Sequence, residues 1–261
     1  MRTLILAWSY LKIGITNEMQ YRVNFFIQLL QSFIALATGL IGLALVFSYT
    51  TDLGGWSRPE LLAVMGVYTL MSGIIGSAIQ PNMLRLLDEI SDGTLDFALT
   101  KPVDGQALIS VREFRFWQLT DVLVGLVVMG WAVYEMQQQF EVWQALAMLA
   151  ALLMGAIILY CFWLMLTSVA FWVIRIYALV DLFQGIYAAG RWPVGIYPDW
   201  LRIGLTFLVP VAFAVTVPAE ALTNRLTPLA LLGEAGLAVL FFVLARLVWN
   251  LGVHRYSGAS A

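Results

Sequence analysis

Charged residues are scarce in this sequence of 261 residues. Only 11% of its residues are charged and 61% are hydrophobic, with a mean hydropathy of +0.86. Soluble domains contain about 25% charged and about 45–50% apolar residues. Because so few charges could not cover the surface of a soluble globule, the composition excludes a cytosolic enzyme and a disordered chain. It predicts an all-α, polytopic membrane protein that forms one domain over residues 1–261.

Residues that build most catalytic and metal sites are also almost absent. The one histidine, His254, lies close to the C-terminus, which excludes an HExxH zinc site and leaves no base for a buried triad. The one cysteine, Cys161, can form neither an internal disulfide nor a cysteine metal cluster. The two lysines, Lys12 and Lys101, lie outside any glycine-rich GKS/T loop. We therefore expect no enzyme activity and no directly bound cofactor or metal, so another polypeptide would have to bind any ATP.

The 14 basic residues are scattered and the net charge is −2, so we expect no nucleic-acid partner. Charge-free runs instead mark membrane spans, since a spanning helix needs about 20 apolar residues. Basic residues favour the cytoplasmic side and flank both the first run, at Arg22, and the last, at Arg246. We therefore predict an even number of spans with both termini in the cytoplasm. The six predicted spans are about 25–49, 60–81, 113–134, 142–174, 176–195 and 226–247.

The segment from Trp200 to Thr223 predicts a re-entrant hairpin on the outer side, between spans five and six. Its apolar run, 203–219, has only 17 residues, and Pro210 and Pro218 each remove a backbone donor. Such backbone is tolerated at membrane depth only against protein or a wet cavity. The alternative assignment makes 203–219 the fifth span and places the preceding segment at the interface.

Residues 2–21 predict an amphipathic helix that lies in the cytoplasmic interface of the membrane. Apolar residues such as Leu4, Trp8 and Leu11 recur at helical spacing, with polar residues on the other faces. A cleaved signal peptide is the alternative, but no A-x-A-like site follows a short apolar core.

The predicted cytoplasmic loop, about 82–105, is the most informative segment outside the spans. Pro81–Ile90 predicts a short helix with an apolar stripe, and Asp92 with Gly93 predicts the turn that ends it. The stripe could pack on the chain's own bundle or on a soluble partner. We interpret the acidic residues of this loop as a solvated face rather than an acid–base site. The stripe consists of Met83, Leu84, Leu87 and Ile90, and the acidic residues are Asp88, Glu89, Asp92 and Asp96.

The sequence GTLDFALTKPVDG, followed by REFRFW, resembles the permease subunits of ABC-2 type transporters. The resemblance is closest to small bacterial six-span permeases whose ATPase is a separate chain. It extends through IYPDWLR, LTFLVPVAF and VPAEAL to the closing GVHRYSGAS, and so covers essentially the whole chain. The layout of such permeases includes an N-terminal interfacial helix and a re-entrant hairpin after span five.

The resemblance implies a permease subunit, most simply of an exporter, in a bacterial plasma membrane (the inner membrane of a Gram-negative cell). Two ATPase subunits would bind ATP and magnesium, and a second permease subunit, identical or different, would complete the assembly. The helix after span two would be the coupling helix that contacts the ATPase. On this sequence those contact residues are Met83, Leu84, Arg85, Leu87, Asp88, Ile90, Asp92 and Gly93.

Two other classes of protein remain open at this point. An ion-coupled secondary carrier would need a titratable relay at the membrane midplane and would transport without a partner. A non-transporting membrane scaffold would use the acidic loop to bind something other than an ATPase.

Ionisable residues inside a membrane are costly and usually face protein or water. Three carboxylates fall within the predicted spans, and with the two hairpin prolines they are candidates for a substrate route or gate. Asp121 could alternatively pair with Arg112 or Arg115 as a structural link between helices. The five candidates are Asp121, Asp181, Glu234, Pro210 and Pro218.

Overall fold

The computed structural model describes residues 8–10, 12, 14, 16, 22–137, 141–173 and 177–256. Helices and helical turns make up nearly all of these residues, which contain no β-strand beyond one bridge between Leu53 and Trp56. Five helices in these ranges are long and apolar enough to cross a membrane, and a bent helix pair makes a sixth if its halves count as one span. The predicted all-α polytopic fold is confirmed.

The α-helices are, in chain order, α1 (Arg22–Tyr49), α2 (Arg58–Ile74), α3 (Gln80–Ser91), α4 (Asp96–Leu99), α5 (Gly105–Ile109), α6 (Leu119–Met136), α7 (Val142–Ser168), α8 (Tyr177–Tyr187), α9 (Asp199–Ile203), α10 (Val217–Leu222) and α11 (Pro228–Arg255). We call the end of the bundle that carries residues 92–118 the loop end, and the opposite end, with residues 50–57, the far end. Gln28, early in α1, bonds to Gln118, and Tyr256, just after α11, accepts a hydrogen bond from Leu95 N. Therefore α1 begins at the loop end of the bundle, and α11 ends there.

Three glycines let α2 and α6 cross in backbone contact. A Cβ at Gly125 would lie 2.5 Å from Leu70 N, and a Cβ at Gly73 would lie 2.7 Å from Val122 N. Gly66 faces Gly125 in the same way, with Met129 N 2.9 Å from where its Cβ would be. Small residues at such crossings allow close van der Waals packing where no hydrophobic effect drives helix association.

The helix predicted over Pro81–Ile90 corresponds to α3, but α3 is not separate from α2, because the two form one rod of 34 residues, Arg58–Ser91. A π turn, Ile75–Ile79, joins the two helices without interrupting the axis. Pro81 cannot donate to the carbonyl four residues before it, which belongs to Ser77. That carbonyl accepts instead from Arg115 N at 2.9 Å, so the loop supplies the missing bond.

The predicted fifth span, 176–195, is an α-helix only over its first part. α8 has 11 residues and continues as a 3-10 turn, Ala188–Arg191. Trp192 is extended, as a residue before a proline tends to be, and Pro193 then prevents further helix. The irregular segment that follows reaches the far end, where Ile196 packs on Gly54.

The segment predicted as a re-entrant hairpin is a bent helix pair, Asp199–Leu208 and Ala212–Leu222, whose halves meet at 82°. Pro210 lies in the bend between them. The bend reaches the middle of the bundle, since a Cβ at Gly155 would lie 2.8 Å from Ala214 Cα. Gly155 is 13 residues from the start of α7, or about 20 Å along that helix.

Most of the predicted interfacial helix, 2–21, lies outside the described residues. Its described residues are helical and lie at the loop end, where Lys101 Nζ is 3.2 Å from Tyr10 Oη. Gly14 approaches the backbone of Phe114, which belongs to the same loop.

Candidate functional site

The loop after α3 is fixed to the helix by one buried asparagine. Asn82 Nδ2 donates to the carbonyls of Ala78 (2.7 Å) and Glu113 (2.8 Å), and its Oδ1 accepts from the backbone N–H groups of Arg112 and Glu113 (both 2.9 Å). Asn82 is 1% exposed. Both donors and both acceptor lone pairs of this amide are therefore used, which explains why a polar residue is stable in the core here.

Two arginines and two glutamates form an ion network beside this asparagine. Arg112 binds Glu89 through two parallel hydrogen bonds of 2.8 Å, and its side chain is only 5% exposed. Arg85 bonds to Glu89 at 3.0 Å and also to Glu113. The four charges sum to zero, and the network links α3 to the segment that leads into α6.

A second ion pair ties the same loop to α11. Asp104 caps α5 by accepting from Ala107 N at 2.9 Å, and Arg246 of α11 bonds to both oxygens of Asp104, at 3.1 and 2.6 Å. The hydrogen bond from Arg246 holds the pKa of Asp104 below its ordinary value. The loop is therefore anchored to α3 and to α11 independently.

The tip of the loop, residues 88–100, carries an exposed aromatic ring among carboxylates. α3 ends where the sequence predicts, since Gly93 is left-handed (φ +71°), Thr94 N donates to Glu89 O and Gly93 N donates to Ile90 O. Phe97 follows on α4 and is 78% exposed. Asp88 and Asp92 are exposed and Asp96 is half-buried. We call Phe97 with these three carboxylates the tip surface.

The apolar stripe predicted to contact an ATPase packs on the chain's own bundle, which is one of the two alternatives that the sequence left open. Met83 and Leu87 are 0% and 1% exposed, and Leu84 and Ile90 are half-buried against the same core. Met83 is covered by α7, whose Thr167 donates to its sulfur at 3.6 Å. Met83 and Leu87 therefore offer no surface to a partner. Arg85 is engaged in the ion network, which leaves Asp88, Asp92 and Gly93 of the predicted set near the tip surface.

Asp121 links α6 to α1 rather than to the arginines considered for it. Its carboxylate accepts from Ser32 Oγ and from Gln28 Nε2, the latter at 3.2 Å. Gln28 and Gln118 also exchange hydrogen bonds of 3.0 and 3.2 Å between their amides. The alternative pairing of Asp121 with Arg112 does not form, because the bonds of that side chain go to Glu89.

The other two candidate carboxylates have opposite environments. Glu234, in α11, is 0% exposed, and neither of its carboxylate oxygens has a hydrogen-bond partner among the described residues. A carboxylate that is buried without a hydrogen-bond partner is costly when charged. Asp181 lies on the exposed face of α8 and is not joined to the other two.

The two prolines play different parts in the hairpin. Pro210 lies in its bend, whereas Pro218 is in the first turn of α10, where a missing N–H is tolerated. The hairpin is anchored at the far end by Arg225, which bonds to Glu60 at 2.7 and 2.9 Å and to Gly55 O at 2.6 Å. Its guanidinium also lies 4.7 Å from the ring centroid of Trp56. Both ends of the hairpin therefore lie at the far end.

Sequence reasoning missed Asn82, Phe97 and Arg191, the last of which lies over the ring of Tyr68. The signal for Asn82 was its position as a polar residue directly after Pro81. A proline cannot donate to the carbonyl four residues before it, so a loop can bond to that carbonyl instead. Phe97 directly follows the acidic Asp96 in a short loop, and Arg191 follows a short apolar run. Each signal is local, but its meaning depends on a partner distant in the sequence.

Within the described ranges, no three His, Cys, Asp or Glu side chains are placed to hold a metal ion. A family model described as ABC-2 family transporter protein matches residues 33–260, which is most of the chain. No curated protein and no solved structure matches. The resemblance noted from the GTLDFALTKPVDG motif is confirmed by the family match.

Proposed function

Because the chain belongs to the ABC-2 family of transporter proteins, we propose that it is the permease subunit of an ATP-driven exporter and works with a separate ATPase subunit. The observation that carries this proposal is the tip surface, an exposed phenylalanine among carboxylates on a loop that is bonded to a membrane-length helix. The two lysines of the chain lie outside any GKS/T sequence. ATP and magnesium would therefore bind to the partner.

The tip surface has the composition of a docking site for a basic, partly apolar partner. Aromatic residues that enter a pocket on the partner often supply most of the binding energy of an interface. Complementary charge around such a residue increases the association rate and selects the partner. An ATPase surface with an apolar pocket bordered by arginine or lysine would fit Phe97 together with Asp88, Asp92 and Asp96.

The rod of α2 and α3 would carry motion from the tip surface to the membrane bundle. It is continuous over 34 residues, and the part nearest the loop end is bonded to the loop through Asn82 and Glu89. Within the rod, the π turn at Ile75–Ile79 changes the hydrogen-bonding pattern, and π turns inside α-helices are frequent at functional sites. ATP-driven closure of the partner would thus tilt or rotate α2 against α1 and α6.

The proposed assembly contains two ATPase subunits and two permease subunits, the second permease being identical or different. In this arrangement the loop end faces the cytoplasm and the hairpin faces outward, with the chain in a bacterial plasma membrane. Ten of the 14 Lys and Arg residues fall on the predicted cytoplasmic side, which supports this orientation. Export is the direction that the resemblance to ABC-2 permeases implies.

The test is copurification of the ATPase with variants of the tip surface. Phe97→Asp removes the apolar side chain and adds charge, whereas Thr100→Asp adds the same charge at an exposed position and leaves the ring in place. Losing a buried phenylalanine costs about 1.5–3 kcal/mol, which is about 10- to 150-fold in affinity. We expect Phe97→Asp to lose the ATPase and Thr100→Asp to retain it. Wild-type recovery with Phe97→Asp would contradict the docking site, and a wild-type chain that copurifies no ATPase would contradict the function.

A further inference from the structure

A cavity with both apolar and polar lining lies between α1, α2, α6 and the turn after α8. Its volume is about 180 Å³, which is room for several ordered waters or a small headgroup. Apolar side chains of α1 and α2 form part of its wall. The polar side chains that line it are Ser32, Tyr68, Thr69, Ser72, Asp121 and Arg191.

This cavity lies at membrane depth. Tyr68 follows Glu60 by eight residues and precedes Arg85 by 17, which places it about 12 Å and about 26 Å from those charges along the rod. The backbone at Gly190 is level with Tyr68, since a Cβ there would lie 3.6 Å from Tyr68 Cδ2. Arg191 is next in the chain, so both its backbone and its side chain are level with the apolar part of α2.

Arg191 holds a permanent positive charge at this depth. Its guanidinium carbon lies 5.5 Å from the ring centroid of Tyr68, and the side chain is exposed. Among the residues whose structure is described, no carboxylate lies within ion-pair distance of it. Asp121 lines the same cavity but bonds to Ser32 and Gln28 instead. Because an arginine at membrane depth needs a counter-charge or water, the cavity favours an anionic group beside Arg191.

The other end of the cavity accepts hydrogen bonds. Thr69 and Ser72 donate their hydroxyl protons to the carbonyls of Met65 and Tyr68, both at 2.8 Å. Those bonds leave the hydroxyl oxygens with free lone pairs, and the Asp121 carboxylate adds further acceptor capacity. A ligand group at this end must therefore donate, as an ammonium does.

We propose that this cavity binds the headgroup of an amphiphile that carries an acidic group next to an amine, with the acid at Arg191 and the amine toward Ser72 and Asp121. The alkyl part lies along the apolar wall between α1 and α2. The same headgroup chemistry could belong to an exported cargo or to a resident lipid. As a cargo site the inference rests on the proposed function, whereas the binding itself does not.

The binding test uses the purified chain in nanodiscs of phosphatidylcholine, a lipid whose headgroup has no N–H donor. The probe is a fluorescent short-chain phosphatidylethanolamine, with short-chain phosphatidic acid as a competitor. We expect Arg191→Gln to weaken probe binding at least tenfold. Arg202→Gln, which removes a far-end arginine that is paired with Asp199 at 2.8 Å, should change it less than twofold. Equal binding by Arg191→Gln and the wild type overturns the proposal.

The acceptor end is tested separately with the double variant Thr69→Val, Ser72→Ala. It should weaken phosphatidylethanolamine about three- to tenfold and leave competition by phosphatidic acid unchanged, because only the former has an amine. An equal loss for both lipids, or for neither, overturns the assigned orientation. If Arg191→Gln does not fold, this double variant and Arg191→Lys, which keeps the charge, decide the question. Crosslinking of position 191 to a carboxylate of a second copy would also overturn the proposal.

Two further measurements identify the source of the headgroup. If it is cargo, added phosphatidylethanolamine should stimulate ATP hydrolysis by the complex with its ATPase, and Arg191→Gln should abolish that stimulation. If it is a resident lipid, mass spectrometry should find it copurified with the wild type and missing from Arg191→Gln, with hydrolysis unaffected. Either result supports the site. The absence of both lipid retention and stimulation overturns it. Failure to recover an ATPase would instead count against the proposed function and leave the nanodisc results valid.

Discussion

Replacing Glu89 by glutamine should destabilise the loop end more than any other single neutralisation of a carboxylate near it. Glu89 binds Arg112 with two hydrogen bonds of 2.8 Å and Arg85 with a third of 3.0 Å. Removing one partner of a buried ion pair costs about 3–5 kcal/mol, because the other charge remains buried without compensation. Glu89 keeps 16% of its side-chain exposure while Arg112 keeps 5%, so we expect about 3 kcal/mol, the lower part of that range.

The single cysteine supplies the assay for this prediction. Cys161 is 0% exposed, so a thiol-reactive fluorophore labels it only when the bundle opens. A loss of about 3 kcal/mol corresponds to a midpoint about 6–12 °C lower in a thermal scan, on the relation for domains of 150–250 residues. Asp92→Asn is the matched control, because it removes a carboxylate from the exposed tip and should shift the midpoint by about 1 °C or less.

The double variant Glu89→Met, Arg112→Met distinguishes the charge from the packing. Replacing both members of a buried pair by apolar residues is often neutral or stabilising. We therefore expect the double variant to regain most of the stability that Glu89→Gln loses. The ion network does not hold the loop on α3 if Glu89→Gln has the same thermal midpoint as Asp92→Asn. The same conclusion follows if the double variant is as unstable as Glu89→Gln.

Two further predictions also use cysteine labelling, the first at Cys161 as above and the second at an introduced cysteine. Gly125→Ala should lower the midpoint by the equivalent of about 1–3 kcal/mol, because its Cβ would lie 2.5 Å from Leu70 N. The control is Gly130→Ala on the same helix, whose Cβ meets nothing within 4 Å and which should be neutral or stabilising. Equal effects of the two substitutions would refute the backbone crossing of α2 and α6. Gly155→Val should displace the hairpin bend from α7, since even a Cβ would lie 2.8 Å from Ala214 Cα, and should make a cysteine at Phe213 (in a Cys161→Ala background) react faster with a soluble thiol reagent. Gly233→Val, which has open space, is its control, and unchanged labelling of Phe213→Cys would contradict the position of the bend.

Features that depend on composition and local spacing could be predicted from the sequence. The charge-free runs correspond to the long helices, and the two prolines with a short apolar run between Trp200 and Thr223 indicated the bent pair. Asp92 with Gly93 predicted the end of α3, because only a left-handed residue permits the observed bonds from Gly93 and Thr94. In each case neighbouring residues contain the whole physical reason.

Features that depend on a distant partner could not be predicted in this way. The stripe with Met83 and Leu87 has the same periodicity whether it faces α7 or an ATPase, so amphipathicity alone does not identify what covers it. Pro81 suggested the start of a new helix, but a π turn and the N–H of Arg115 allow the rod to continue through it. Arg112 was considered a partner for Asp121, which lies nine residues away, although its partner is Glu89 across the loop.

The two ends of the rod show how these distant contacts combine. Glu60 at its far end holds Arg225 and through it the hairpin, and Glu89 at its loop end holds Arg112 and through it the loop. These glutamates are 29 residues apart, or about 44 Å on one helical axis. A rigid helix bonded at both ends transmits rotation and axial movement between them, except where a π turn allows bending. The rod therefore connects the loop and the hairpin mechanically, alongside α7, whose Tyr160 bonds to Ser110 of the loop and whose Gly155 packs on Ala214 of the hairpin. The π turn at Ile75–Ile79 sets how much of a displacement at one end of the rod reaches the other.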